Sequence, residues 1–167
     1  GVKEVPETGV SFEENSIIKS KNAYMQTNLP TIADDSGIEV DALNGEPGIF
    51  SARYAGEPSD DEENNKLLLK NLKNSDSQSK LARYQCVISY VDKHYLEKPA
   101  VFHAIWEGKI TFNAKGTNGF GYDPIFYLDE YGCTSAELDQ DIKNEISHRA
   151  IALKKFEIFI KTHVKSA

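Results

Sequence analysis

The stretch Thr31-Ile-Ala-Asp-Asp-Ser-Gly-Ile-Glu-Val-Asp41 sets two carboxylates, a hydroxyl and a glycine directly after a short apolar run. Thr31–Ala33 and Ile38–Val40 have the β-branched and apolar character of short buried strands, which predicts a turn at Asp34 and Asp35 between them. A helix is predicted upstream, from about Phe12 to Asn28. Ser11 and Glu14 have capping-box spacing at its start, Ile17, Tyr24 and Met25 share a face, and Pro30 disfavours helix at Leu29. Downstream, the glycine-rich GEPGIFSARYAGE (Gly45–Glu57) carries too much apolar content for a flexible spacer and reads as a structured bend. A second capping box, Ser59 with Glu62, then opens a helix with Leu67, Leu68, Leu69 and Leu72 as its stripe. Its acidic first turn suits the positive end of the helix dipole.

Further out, Ala82–Val91 and Ala100–Gly108 are rich in β-branched and aromatic residues and read as neighbouring antiparallel strands, with Lys109–Phe112 continuing the sheet. The loop AKGTNGFGYDP leads to a short strand at Ile125–Tyr127, and a polar stretch covers Ser135–Lys143. A closing helix places Ala152, Leu153, Phe156, Phe159 and Ile160 on one side. Helices and strands mixed along the whole chain select an α/β or α+β domain over a bundle or a sandwich.

The 167 residues fit one domain. A net charge of −7 argues against binding a nucleic acid polymer, which needs a basic patch to release counterions. No apolar run approaches the ~20 residues of a membrane span, and the N-terminus has no signal-peptide core, so a cytoplasmic protein without an anchor is expected. Cys86 and Cys133 stand far apart in sequence and suggest neither a disulfide framework nor a zinc site.

Several features have both a chemical and a bland reading. Asp34 and Asp35, with Glu7, Glu14, Glu39 and Asp41 nearby in sequence, supply the carboxylates that Mg²⁺ takes when phosphate oxygens complete its shell, or they are a solvated turn. Lys19 is a point charge for a phosphate or a surface lysine. Gly116, Gly119 and Gly121 free a backbone for ligand approach beside Phe120 and Tyr122, or they shape a hairpin. Ser147, His148 and Arg149 are an anion site at a helix start or an ordinary N-cap with two surface cations. There is no phosphate-binding GxxxxGK[ST] loop and no GxSxG elbow.

Taken together, TGVSFEENSIIKSKNA, LPTIADDSGIEVDALNGEPGIFSARYAG, GTNGFGYDPIF and ISHRAIALKK have the order and approximate spacing found in the inosine/xanthosine triphosphate pyrophosphatases. The chain resembles that family over essentially its whole length. The resemblance implies an α/β fold with an elongated mixed central sheet, flanking helices and two lobes around a nucleotide cleft, forming a homodimer. It implies Mg²⁺-dependent hydrolysis of ITP, dITP or XTP to the monophosphate and pyrophosphate, with Mn²⁺ as a substitute metal. Asp35 would be the general base and a metal ligand, with Glu7 as its metal partner and Asp34 as supporting carboxylate or further ligand. Lys19 and Ser36 would contact phosphates, Phe120, Gly121, Tyr122 and Asp123 would form the base loop, and Lys143, His148 and Arg149 would line the purine pocket.

Family members open with a strand and a Ser/Thr-x-Asn-x-x-Lys loop that grips the triphosphate, and no such segment precedes Gly1. The expectation is therefore a single pyrophosphatase domain over residues 1–167, N-terminally incomplete relative to the family. Two rival readings follow: a form that binds nucleotide or dimerises without turnover, and a pyrophosphatase for modified pyrimidine nucleotides.

Overall fold

The computed structural model describes residues 1–163. Helix α1 (Phe12–Thr27) starts where predicted: Ser11 Oγ accepts from the Glu14 N–H, and the Glu14 carboxylate accepts from the Val10 N–H. It stops at Asn28, whose left-handed backbone (φ 55°) turns its N–H back to the Tyr24 carbonyl. The face it buries is not the predicted one, because Met25 is exposed and Asn15, Ser16 and Ser20 are buried. Small hydroxyl-bearing residues allow a close approach and make their own bonds, as in the 2.6 Å contact between the Ser20 and Ser89 hydroxyls.

Strand β1 is continuous over Thr31–Val40, so Asp34 and Asp35 lie inside a strand and not in a turn between two. Successive strand side chains leave on opposite faces, so neighbouring carboxylates need not share surroundings. After the 3-10 turns at Asp41–Leu43 and Gly48–Arg53, helix α2 (Asp61–Lys73) is capped by Asp60, one residue beyond the predicted Ser59. It buries Leu68 and Leu72, and Asn64 holds the glycine-rich bend through Ala52 and Ala55.

Strands β2 (Leu81–Val91) and β3 (Ala100–Ile110) follow, then β4 (Phe126–Leu128) and β5 (Cys133–Thr134), then helices α3 (Gln140–Ile146) and α4 (His148–His163). The sheet order is β1-β2-β3-β4-β5. Residues 92–99 between β2 and β3 are too few for a crossover, so these neighbours are antiparallel as expected. The β3–β4 and β4–β5 pairs are antiparallel too, in the registers Ile110↔Phe126 and Tyr127↔Thr134. Strand β5 was not expected and lies just before the stretch read as polar (Ser135–Lys143), and helix α3 begins inside that stretch and runs past it.

The described residues fall into two compact units. Residues 1–36, 86–104 and 148–163 form the first, and residues 37–85 and 105–147 the second. The chain of each of β1, β2 and β3 runs from one unit into the other. The first unit has a core of Cys86, Ile88, Ala104 and Ala152, beside an aromatic group in which Tyr90, Phe102, Phe156 and Phe159 make ring contacts. The second packs Ile38, Leu68, Tyr84, Trp106 and Ile125 around Phe126. Both cysteines are free.

Phe126 is 0% exposed and sits against Tyr84, with ring centroids 4.6 Å apart, and Trp106, at 5.4 Å. A Cβ on Gly108 would come within 2.6 Å of its ring. Gly108→Ala should therefore lower unfolding free energy by about 1–3 kcal/mol through overpacking. Urea unfolding checks this, and an unchanged midpoint would show that the ring can yield.

Candidate functional site

In the first unit, β1 presents Asp35 to α1. Lys19, two turns into that helix, reaches the Asp35 Oδ1 at 2.8 Å and the Glu7 Oε1 at 3.2 Å, so one ammonium bridges two carboxylates. Gly9 lets the Glu7 segment lie against the start of α1. Its N–H donates to Asn15 Oδ1, and any Cβ there would meet Asn15 and Glu14 at 2.7 Å.

Asp35 is only 9% exposed, and its second oxygen, Oδ2, is buried without a hydrogen-bond partner among the described residues. Burial raises the Asp35 pKa. Lys19 pulls it back, Glu7 adds to the rise, the nearby Asn15 amide also lowers it, and the net direction is upward. For Lys19, burial acts downward, but the bonds and charges of Asp35 and Glu7 outweigh it, so its pKa is raised as well. A carboxylate with one paired oxygen and one buried, unsatisfied oxygen is a costly arrangement for a purely structural residue.

The opposite face of β1 carries Asp34 and Ser36, two residues apart and therefore on one side. Arg149, in the first turn of α4, donates to Asp34 Oδ2 from Nη2 at 2.9 Å and from Nε at 3.3 Å, and to Ser36 Oγ at 3.0 Å. His148 is buried at the start of α4. Thus Glu7, Lys19 and Asp35 form one cluster, and Asp34, Ser36 and Arg149 another on the far face. The buried Cys86 thiol is pushed up to about 12, first by burial and then by the charge of Asp34, which leaves it unreactive.

The second unit holds the predicted base loop. Asp123 is 3% exposed and organises it: Oδ2 accepts from the Phe120 N–H at 2.8 Å and from the Lys143 ammonium, and Oδ1 accepts from the Ser135 hydroxyl at 2.7 Å. Lys143 Nζ lies 5.6 Å from the Phe120 ring centroid, and Phe120 is 64% exposed. Gly119, at φ +77°, is required there, since a Cβ would fall 2.0 Å from Asp123 Oδ2. Tyr122 differs from expectation: it is 3% exposed and its hydroxyl donates to the Ser51 carbonyl, so it anchors the loop from below and offers no ring face.

Among the described residues no three His, Cys, Asp or Glu side chains converge as a metal cluster. The Glu7–Asp35 pair, with its unsatisfied buried oxygen, still fits a hard cation whose other ligands come from elsewhere. Sequence reading missed Asn15, Ser135, Asp61 and Asn65. A polar residue at a buried helix position was the available signal for Asn15.

The Ham1 family pattern matches residues 1–159. A dITP/XTP pyrophosphatase of Thioalkalivibrio sulfidiphilus is 51% identical over 154 residues, which is 92% of this chain and 79% of that protein. One from Photorhabdus laumondii is 49% identical, covering 92% of this chain and 78% of that protein. The solved structure of a HAM1 protein from Coxiella burnetii superposes with a TM-score of 0.93 at 43% identity, covering 96% of this chain and 82% of that one. The Staphylococcus aureus Ham1 protein superposes at 0.89 with 45% identity, covering 96% and 81%.

Because its pKa is raised in the folded state, the charge of Asp35 opposes folding above that pKa and has no such effect at a pH below the ordinary aspartate range. Asp35→Asn should therefore raise the urea midpoint at pH 7 in metal-free buffer. The gain should shrink toward zero as the pH falls through the ordinary aspartate range. A loss of stability at pH 7 would contradict the direction assigned to Asp35.

Proposed function

This chain belongs to the Ham1 family, and from that premise we propose that it hydrolyses the non-standard purine nucleoside triphosphates ITP, dITP and XTP to the monophosphate and pyrophosphate. The observation that carries the reading is the half-satisfied Asp35, bridged to Glu7 by Lys19.

Asp35 acts as the general base. Its carboxylate is buried beside Lys19 and Glu7, where a proton acceptor held in one geometry serves this step. Water gives a proton to Asp35 while its oxygen bonds to the α-phosphorus. The bond from that phosphorus to the oxygen bridging to the β-phosphorus breaks, and its electron pair leaves with pyrophosphate. Lys19 supplies a fixed positive charge to phosphate oxygens, in a reaction governed by positioning and charge neutralisation; Ser36, expected as a second phosphate contact, lies on the opposite face of β1 and is bonded to Arg149. Glu7 and Asp35 would hold Mg²⁺, or Mn²⁺ with the same oxygen donors, and phosphate and water oxygens would complete its shell. The metal, when bound, offsets negative charge on the phosphates.

Base recognition is assigned to the second unit's loop. Phe120 offers an exposed ring on which a purine stacks. Lys143, fixed by Asp123 near that ring, offers N–H donors to a 6-oxo group. Adenine presents an amino group there and leaves the donor unpaired, at a cost of about 1–3 kcal/mol. In the first unit Arg149 holds Asp34 and Ser36, and the base-reading roles of His148 and Arg149 rest on the family resemblance alone. Homodimerisation and a cytoplasmic setting belong to the same proposal and rest on the family resemblance. No helix among the described residues is long and apolar enough to cross a membrane.

The test is pyrophosphate release from ITP, XTP and ATP, with and without Mg²⁺. Release should require Mg²⁺ and favour ITP and XTP over ATP by about 5- to 150-fold in kcat/KM, the equivalent of one donor left unpaired. Equal rates on ATP would remove the assignment of Lys143, and no release from any of them by folded protein would sink the proposed activity.

A further inference from the structure

Phe120 is 64% exposed, its ring lies 5.6 Å from Lys143 Nζ, and the direction of its Cα–Cβ bond is set by the peptide groups around it. The flanking Gly119 (φ +77°) and Gly121 (φ +63°) would leave those peptides mobile if nothing gripped them. Side chains grip three in succession. Asp123 accepts from the Phe120 N–H, Asp61 Oδ2 accepts from the Gly121 N–H at 2.6 Å, and Asn65 Nδ2 donates to the Gly121 carbonyl at 2.9 Å.

Asp61 and Asn65 lie one turn apart on α2, so one rigid helix holds the peptides on both sides of the Gly121 Cα. Asp61 also stands in the first turn, where a negative charge suits the helix dipole, and its bond to an N–H is charge-assisted. A groove of about 490 Å³, lined by Asp61, Asn65, Leu69, Thr117, Asn118 and Phe120 among others, separates the remainder of α2 from the loop. The two polar bonds add to the apolar core that Leu68 and Leu72 of α2 share with Tyr122 and Ile125, and they reach the Gly121 peptides themselves.

We propose that Asp61 and Asn65 are positioning residues for substrate selection: acting through Gly121, they fix the Phe120 ring at the angle on which a purine base stacks. The acidic first turn of α2 is thus part of the base site as well as a complement to the helix dipole. This rests on the functional reading above, because it assumes that Phe120 meets the base.

The test compares Asp61→Ala, Asp61→Asn and Asn65→Ala with the unmodified chain, using KM and kcat for ITP and inhibition by inorganic tripolyphosphate, a probe without a base. Asp61→Ala should raise KM for ITP about 10-fold with kcat within about 2-fold, as expected for lost ground-state binding. Tripolyphosphate inhibition should be unchanged. Asp61→Asn, which keeps an acceptor for the Gly121 N–H, should restore most of the loss, and Asn65→Ala should move KM in the same direction as Asp61→Ala. An unchanged KM in both alanine variants, or an equal weakening of tripolyphosphate inhibition, would overturn the proposal.

Hydrogen exchange at the Gly121 amide separates this proposal from the functional reading. If the unmodified chain does not hydrolyse ITP, the functional reading fails by itself. Faster Gly121 exchange in Asp61→Ala would then still support the positioning role, and unchanged exchange would overturn it.

Discussion

The alternation of side chains along β1 is the constraint on which the site depends. Asp34 and Asp35 are adjacent in sequence, yet they leave the strand on opposite faces and meet different cations, Arg149 from α4 and Lys19 from α1. Repulsion between them is therefore not something that one shared ion must offset. Each helix brings its own positive charge. Asp35 is further separated by burial: it is largely shielded from water, while Asp34 is partly exposed. A partly exposed ion pair such as Arg149–Asp34 contributes little to stability, and its use lies in orienting Ser36 and the start of α4.

Much of the fold was legible because capping and periodicity are local. Ser11 with Glu14, the leucines of α2, and the β-branched and aromatic runs of β2 and β3 each specify an element with few competing solutions. The errors arose where tertiary contacts decide. The DDSG sequence has turn composition, and only the flanking cations make it sustainable inside a strand. Met25 fits an apolar stripe, but α1 buries serines that permit closer packing and pair with Ser89. Strand β5 is two residues long and carries no periodicity to detect.

The site was legible in a similar, uneven way. Glu7, Lys19 and Asp35 meet as one cluster, and Phe120, Asp123 and Lys143 as another; all six residues were singled out in the sequence, without these pairings. Tyr122 was misread because an aromatic residue in a glycine-rich loop suits a ligand face and a buried anchor equally well, and only its bond to Ser51 distinguishes them. Asp61 was overlooked because its position in an acidic helix start already had a sufficient explanation. Both cases involve long-range bonds to backbone atoms, which leave no periodic trace in the sequence.

In the proposed reaction the two neighbouring aspartates divide the work, Asp35 for the chemistry and Asp34 for holding Arg149 and Ser36. The most direct measurement is kcat for ITP in Asp34→Asn and Asp35→Asn, made side by side on protein shown to be folded. Asp35→Asn should lose about 10²- to 10⁴-fold, the usual contribution of a general base, while Asp34→Asn should stay within about 10-fold of the unmodified chain, because its exposed ion pair is worth at most about 1 kcal/mol. Equal losses in the two variants, or a larger loss in Asp34→Asn, would contradict this division.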